Sequence, residues 1–324
     1  MNLSFAPEDR QFRSTIGPKK NFYYAAKAIL ETHPNAIFLS ADLGCRFDLD
    51  KLEKERPGSF IDVGISEQTM IGTAAGLAAE GFLPVAVGYA PFVTSRVLDQ
   101  VRVCCGVMHL PMIIVGADAG FTTGDLGPAL TGLNDLACMR SIPGMTVMEP
   151  SDCTEEIKAL CAAADLNAPV YVRLTGGPGL ADLHEKDYDL IPGKARIERK
   201  GTDCAILCCG SILNECLKAA NLLEEKSVFA SVIHFHTIKP LDEETLKTVS
   251  RFFPRAFTVE EHGSCGGLGD AVGRYFAEQG GGCWLTCISA GERDYVPDTR
   301  ANCLKRAGLD AASIAATIAR ELRA

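Results

Sequence analysis

The sequence lacks the features that mark membrane, nucleic-acid-binding and secreted proteins. No uninterrupted apolar stretch reaches the roughly 18 residues that indicate a membrane span. The 32 basic and 41 acidic residues give a net charge of −9 without a basic block, which argues against a nucleic-acid-binding surface. The chain of 324 residues is 47% hydrophobic, which is enough for two domains with buried cores.

Cysteine is abundant, but neither a Cys-x-x-Cys pair nor a secretory leader pattern accompanies the 14 cysteines. We therefore expect reduced thiols in a cytoplasmic protein. Among the six histidines, only His234 and His236 have a spacing that places two rings on one face of a predicted strand. Two rings alone do not make a metal site, and we expect none within the chain.

Strand and helix signals alternate through the first half of the chain. Helical patterns separate compact apolar runs at residues 36–40, 83–87, 112–115, 146–148 and 170–174. One of these predicted helices covers residues 93–108, and Ser151 is the predicted N-cap of another. Residues 1–18 contain Pro7, Gly17 and Pro18, and we predict an irregular arm there. The alternation is typical of an α/β fold in which helices cover both faces of a mainly parallel sheet.

A change in composition and periodicity marks a domain boundary. Residues 175–202 are rich in glycine and proline and have no helical periodicity, after which a second alternating pattern begins. Its predicted strands lie near residues 204–208, 229–234, 256–259 and 284–288. We predict two three-layer α/β domains with mainly parallel sheets, at residues 1–185 and 186–324.

Residues 60–81 are the most informative stretch of the sequence. A short apolar run ends at Val63, Gly64 turns the chain, and Ser66 is placed to cap a helix of mostly small residues that ends near Glu80. Glu67 therefore lies on the first turn, where the helix dipole alone stabilises a carboxylate by roughly 0.3–1 kcal/mol. The small face of this helix lets another backbone or subunit approach closely; its residues are Gly72, Ala75, Gly76 and Ala79.

The order of residues around Glu67 resembles the pyrimidine-binding domain of thiamine diphosphate enzymes. The resemblance implies that Glu67 hydrogen-bonds N1′ of the cofactor's aminopyrimidine as the catalytic acid, with Ile65 beside it. Residues 40–43, Ser-Ala-Asp-Leu, are similar to a transketolase segment close to the cofactor, which implies roles for Asp42 and Leu43.

Residues 89–102 resemble the segment that supplies an aromatic ring to stack on the pyrimidine. The resemblance implies that Phe92 supplies this ring, with Tyr89 as the second candidate. An aromatic side chain is chemically suited to stacking because the pyrimidine has a flat face beside the polar edge that Glu67 would contact.

The loop of residues 116–128 departs from the transketolase pattern where substrate is bound. Positions that carry an acid and a histidine in the family hold Leu126 and Leu130, and a phosphate-contacting histidine is replaced by Asp118. The position of a phosphate-binding arginine holds Gly176. We expect Asp118 and Arg46 to contact substrate, with Arg46 supplying a cation from another direction, in an atypical acceptor or phosphate site.

The resemblance extends into the second domain but omits half of the cofactor site. Residues 237–242, 258–262 and 266–269 are similar to the transketolase C-terminal domain. No Gly-Asp-Gly segment followed by the family's asparagine is present. The resemblance therefore implies a partner subunit that binds the diphosphate and Mg²⁺, in an α₂β₂ assembly with thiamine diphosphate between the chains.

These features predict the second subunit of a split transketolase, which moves a two-carbon ketol unit from a ketose to an aldehyde. Within enzymes, the alternatives are the β subunit of a 2-oxo acid dehydrogenase and a 1-deoxyxylulose-phosphate-synthase-like reaction. Outside enzymes, the alternative is a non-catalytic assembly partner, since the expected histidine and arginine positions have changed. The identities of the donor and the acceptor stay open.

Overall fold

The computed structural model describes residues 4–293 and 295–323, which form two β-sheets flanked by helices. Twelve strands are present in the described residues: β1 (Ala36–Ser40), β2 (Phe60–Asp62), β3 (Leu83–Tyr89), β4 (Ile113–Ala119), β5 (Thr146–Met148), β6 (Val170–Thr175), β7 (Arg196–Arg199), β8 (Cys204–Cys208), β9 (Ala230–His234), β10 (Thr237–Lys239), β11 (Arg255–Val259) and β12 (Trp284–Ile288). The first sheet has the order β10-β5-β6-β4-β3-β1-β2, and the second has the order β12-β11-β8-β9-β7.

Within the described residues, the helices that connect these strands are α1 (Pro7–Thr32), α2 (Leu49–Glu55), α3 (Glu67–Ala79), α4 (Ala90–Val93), α5 (Leu98–Val101), α6 (Asp135–Arg140), α7 (Cys153–Asp165), α8 (Leu213–Glu224), α9 (Glu243–Phe252), α10 (Leu268–Glu278), α11 (Arg300–Ala307) and α12 (Ala311–Glu321). Short turns of tighter or wider helix occur at Gly44–Phe47, Ser95–Val97, Arg102–Val107, Gly124–Leu126 and Gly210–Ile212. No described helix is long and apolar enough to cross a bilayer.

Both sheets are mainly parallel, as the sequence predicts. The exceptions are β10 and β7, which pair antiparallel with β5 and β9. Alternate residues of β1 point into different cores, because Phe38 packs in one apolar cluster and Leu39 in another. The cluster that contains Leu39 also contains Leu207 of the second sheet, so the two sheets share one of their cores.

The predicted irregular arm is wrong, because the chain is helical from Pro7 onward. Gly17 interrupts α1 with φ 72° and ψ 172°, which lets Pro18 begin the second part of the helix. A Cβ at Gly17 would lie 2.6 Å from the Pro178 backbone nitrogen. The break therefore also allows α1 to pass very close to the loop that follows β6.

Three local predictions are corrected in detail. The helix expected at residues 93–108 is broken into α4, α5 and short non-α turns. The cap of α7 is Asp152, one residue after the predicted Ser151, and its carboxylate accepts from the Glu155 N–H at 2.8 Å. Ser66 does occupy the cap position of α3, but its hydroxyl hydrogen-bonds the Thr69 hydroxyl instead of a backbone N–H.

The predicted boundary between residues 185 and 186 stays a prediction. The structure adds that β10, which follows this boundary in sequence, forms the edge of the first sheet beside β5. Strands near the other predicted positions of the second unit are present as β8, β9, β11 and β12. The strands β7 and β10 were not predicted, because each is short and lacks an apolar run.

Candidate active site

Glu67 lies at the N-terminus of α3, at the carboxyl edge of the first sheet. Asp62, at the end of β2, accepts hydrogen bonds from the N–H groups of Gly64 at 2.8 Å and Asp42 at 3.1 Å through one carboxylate oxygen. Gly64 has φ 70°, a conformation that glycine adopts without strain. This turn directs the chain into α3 and leaves the Glu67 side chain almost fully buried, with 5% exposure.

Arg96 connects Glu67 to the predicted stacking residue. Its Nη1 donates to both carboxylate oxygens of Glu67 at 2.9 Å, and its guanidinium carbon lies 3.9 Å from the centre of the Phe92 ring. An arginine in this position combines an ion pair with a cation–π contact. Glu67 and Phe92 therefore lie on either end of the same Arg96 side-chain contact, since the Arg96 guanidinium touches both.

A cavity of roughly 340 Å³ lies at the same edge of the sheet. Its lining includes the two residues predicted to contact substrate, Arg46 and Asp118, together with Lys19 and Lys20 from α1. We call this space the cationic cavity. Lys19 donates from Nζ to Asp118 at 2.5 Å, and Lys20 pairs with Asp48.

The backbone fixes Asp118 in the wall of the cationic cavity. Asp118 has φ 53°, and the pairing of β4 with β6 shifts register between Gly116 and Ala119. A left-handed conformation at a residue other than glycine is uncommon and concentrates at functional sites. The irregularity leaves the Asp118 side chain 5% exposed and in contact with Lys19.

The residues around Glu67 are continuous with the cationic cavity through a chain of contacts. The ring of Tyr89 lies 6.1 Å from that of Phe92, edge to face, and Lys19 Nζ lies 5.5 Å from the centre of the Tyr89 ring. Tyr89, the second candidate for stacking, therefore lies between Phe92 and Lys19. The two parts form one site along the carboxyl ends of the parallel strands, which is where such sheets bind ligands.

The other residues predicted to contact the cofactor, Asp42, Leu43 and Ile65, differ in how exposed they are. Asp42 is exposed with φ 59° and is tied to Asp62, whereas Leu43 is half-buried against the apolar cluster behind β1. Ile65 is 78% exposed on the turn before Glu67. The roles of Asp42, Leu43, Ile65 and Phe92 toward the cofactor stay predictions.

Arg173 is held in a buried network away from the cavity. It donates to Asp135 at 2.8 Å and to Glu149 at 2.6 Å, and Asp135 also accepts from the Tyr171 hydroxyl at 2.6 Å. Burial raises the pKa of Asp135, but the Arg173 charge outweighs burial and holds it below its usual range. The network is structural, because all the hydrogen bonds that Arg173 donates to described residues lie in the buried core.

The second unit contacts the segment that follows β4. Glu261, after β11, accepts from the Phe121 N–H at 2.7 Å and pairs with Arg300 of α11. The nearby His262 is fully buried, and burial lowers its pKa to about 4. The imidazole of His262 is therefore neutral near pH 7.

Lys19 and Arg96 are the functional candidates that sequence patterns missed. Arg96 follows Phe92 by four residues, which is the spacing of neighbours on a helix surface. This spacing could have indicated that the two side chains lie side by side. Lys19 follows the Gly17 break, which made the segment resemble an irregular arm.

The residues around Glu67 fit an aminopyrimidine, because a buried carboxylate and an aromatic ring both contact Arg96 at the edge of the sheet. Among the described residues, no group of three or more histidine, cysteine, aspartate or glutamate side chains is placed to hold a metal ion. The chain thus offers groups for the pyrimidine end of the cofactor.

Comparisons with known proteins identify the family of the chain. Family models for the transketolase pyrimidine-binding domain and the transketolase C-terminal domain match residues 18–177 and 193–314. The chain is 35% identical to the 6-deoxy-6-sulfo-D-fructose transketolase subunit of Clostridium sp. strain MSTE9, over 80% of this chain and 79% of that protein. It is 32% identical to an apulose-4-phosphate transketolase subunit of Phocaeicola vulgatus, over 79% of this chain and 82% of that protein.

A solved structure described as an inactive β₄ tetramer of a split-gene transketolase matches with a TM-score of 0.84 at 28% identity. The match covers 95% of this chain and 99% of that one. The chain therefore belongs to the transketolase family and comprises its pyrimidine-binding and C-terminal domains.

Proposed function

We propose that this chain is the second subunit of a split, thiamine diphosphate-dependent transketolase that moves a two-carbon ketol unit from a ketose to an aldehyde. The observation that carries the proposal is the continuity between the buried Glu67 carboxylate and the cationic cavity. One end of the site suits a cofactor pyrimidine, and the other suits an anionic sugar.

Glu67 is the proposed catalytic residue of this chain. Its carboxyl group would hold a proton at N1′ of the aminopyrimidine, while Phe92 would orient the ring by stacking. Thiamine diphosphate, when bound, supplies the nucleophilic carbon that takes up the two-carbon unit. Asp42, Leu43 and Ile65 would line the cofactor from the neighbouring turns.

The substrate is proposed to carry an anionic group that enters the cationic cavity. Two relatives are named for a sulfonated and a phosphorylated ketose, both of which are anionic. Arg46 and Lys19 are cations of this chain that line the cavity, and Asp118 restricts which anions fit.

A partner subunit would complete the site with the diphosphate and Mg²⁺ ligands, and we propose an α₂β₂ assembly. Gly72 and Gly76 support close approach of another chain, because a Cβ added at either would meet no described atom within 4 Å. The related split-gene transketolase is described as inactive when it forms a β₄ tetramer, which is consistent with a need for a second kind of subunit.

The first test is purification of this chain from its native cells, with mass spectrometry of stoichiometric companions. We expect a companion that carries a Gly-Asp-Gly segment followed by asparagine, and thiamine diphosphate binding by the pair. A chain that purifies alone, or a pair that binds the cofactor equally well with Glu67→Ala, would contradict the proposal.

A further inference from the structure

In the cationic cavity, carboxylates neutralise a larger share of the positive charge than is usual in a phosphate-binding site. Three cations face or border it, namely Lys19, Lys20 and Arg46. Two of them are already paired with carboxylates: Lys19 with Asp118, and Lys20 with Asp48. Among the described residues, the Arg46 guanidinium makes no hydrogen bond or ion pair, so the group of five side chains carries one net positive charge.

The compensating carboxylate of Asp118 is fixed in position. The residue lies at the register shift of β4 with φ 53° and is 5% exposed. Lys19 is fixed as well, because it follows the Gly17 break where α1 passes against Gly177 and Pro178. A ligand therefore meets this ion pair as part of the wall of the cationic cavity.

The charge of the incoming group then decides how well it fits. A phosphate monoester carries a charge of about −1.5 to −2 at pH 7 and needs more than one uncompensated cation. A sulfonate or carboxylate carries a single negative charge, which Arg46 alone can balance. The fixed Asp118 carboxylate repels the second charge of a phosphate more strongly than it repels a single charge.

We propose that the cationic cavity selects a ketose whose terminal group carries one negative charge, and that the Lys19–Asp118 pair discriminates against phosphate dianions. This inference rests on the proposed transketolase function. It assigns the selection to Asp118 and the binding of the anion to Arg46. Neutral sugars lack the attraction to Arg46 and bind more weakly than either anion class.

The test compares four hexoketose donors that differ at the terminal carbon, using the reconstituted two-subunit enzyme. They are fructose, fructose 6-phosphate, 6-deoxy-6-sulfofructose and fructuronate, each tested with the same saturating aldehyde acceptor, which takes up the two-carbon unit. The value of kcat/KM is measured from the shortened aldose that is released. We expect the sulfonate or carboxylate donor to exceed the phosphate donor by about tenfold. The comparison of sulfonate with carboxylate identifies which monoanion the cavity prefers.

Two variants locate the selectivity. Asp118→Asn should raise the phosphate-to-sulfonate ratio of kcat/KM by about tenfold, because it removes the fixed negative charge while keeping the side-chain shape. Arg46→Gln should lower kcat/KM for every charged donor toward the value for fructose. Asp125→Asn, which changes an exposed carboxylate in the turn after β4, is the matched control and should change no ratio.

A wild-type preference for the phosphate donor, or an unchanged ratio in Asp118→Asn with the fold intact by thermal unfolding, would overturn the inference. If no donor is turned over, calorimetric binding of the same four sugars separates the two proposals. Selective binding of a monoanionic sugar then supports the cavity assignment while the transferase activity fails. Equal binding, or no binding, of the three anions overturns the cavity assignment.

Discussion

Arg96 holds the Glu67 carboxylate through a single nitrogen, whose two hydrogen bonds are each 2.9 Å long, while its guanidinium covers the Phe92 ring. The two groups proposed to receive the cofactor pyrimidine are therefore both engaged by one flexible side chain, which is 44% exposed. Cofactor binding has to displace Arg96 from at least one of them.

Arg96→Gln should strengthen thiamine diphosphate binding to the reconstituted enzyme by about fivefold. The reason is that a partly exposed ion pair of roughly 1 kcal/mol no longer has to be broken. Isothermal titration calorimetry of the cofactor measures the change, with Arg102→Gln, an exposed arginine on the same segment, as the control. Weaker binding in Arg96→Gln would mean that the guanidinium contacts the cofactor instead of competing with it.

Glu67→Gln should lower kcat by at least about 100-fold, because an amide cannot exchange the proton that a carboxylic acid exchanges. The free energy of unfolding should change by less than about 1 kcal/mol, since glutamine keeps the shape and Arg96 is partly exposed. Glu80→Gln, an exposed carboxylate just after α3, controls for the loss of charge. Normal turnover by Glu67→Gln would remove this residue from the mechanism.

Gly72→Leu combined with Gly76→Leu should prevent assembly with the partner subunit without unfolding this chain. Neither new side chain meets a described atom near its Cβ, and leucine favours a helix over glycine by up to about 1 kcal/mol per residue. Light scattering after size-exclusion chromatography measures assembly, and circular dichroism measures the fold. Lys54→Leu, which adds a leucine to exposed surface of α2, is the control; an intact oligomer in the glycine variant would place the interface elsewhere.

His184 should make the stability of the protein depend on pH. Burial lowers its pKa, but the Asp152 carboxylate, 2.8 Å from Nδ1, and the Glu198 carboxylate, 3.7 Å from Nε2, outweigh burial and raise it from 6.5 to about 10. The stabilisation from charged His184 is complete below the unfolded pKa of 6.5 and is lost as the pH rises through about 10.

His184→Gln should therefore cost roughly 3 kcal/mol at pH 6, and much less at pH 10.5. Denaturant unfolding of the wild type and the variant at both pH values measures this difference. His109→Gln, at an exposed position, controls for general effects of losing an imidazole. An equal cost at both pH values would show that His184 contributes only by packing.

Local patterns were sufficient for most of the parallel strands and for the helix that carries Glu67. The strand Thr146–Met148 has the predicted bounds, and α3 begins where Gly64 and Ser66 indicate. These features depend on residues that are close in sequence. Pairings between distant residues were not predictable in the same way, since Lys19 and Asp118 are 99 positions apart and Glu67 and Arg96 are 29 positions apart.

The N-terminal error has one physical origin. Glycine and proline usually end a helix, and their adjacency at residues 17 and 18 predicted irregular structure. Tertiary contact with Gly177 and Pro178 makes the break a fixed kink inside a helix, and this contact is invisible in the sequence. The same kink places Lys19 and Lys20 in the cavity, so the error also concealed part of the site.

The strand β10 follows strands of the second sheet in sequence, but it forms the edge of the first sheet. Thr237 and Lys239 pair with Met148 and Val147, and Lys239 Nζ donates to the carbonyl oxygens of Arg140 and Ile142 at 2.9 and 2.5 Å. A chain cut after residue 185 would expose the backbone of β5 as a template for aggregation. The pyrimidine-binding unit is therefore not a detachable module, and fusions or transplants should exchange the whole chain.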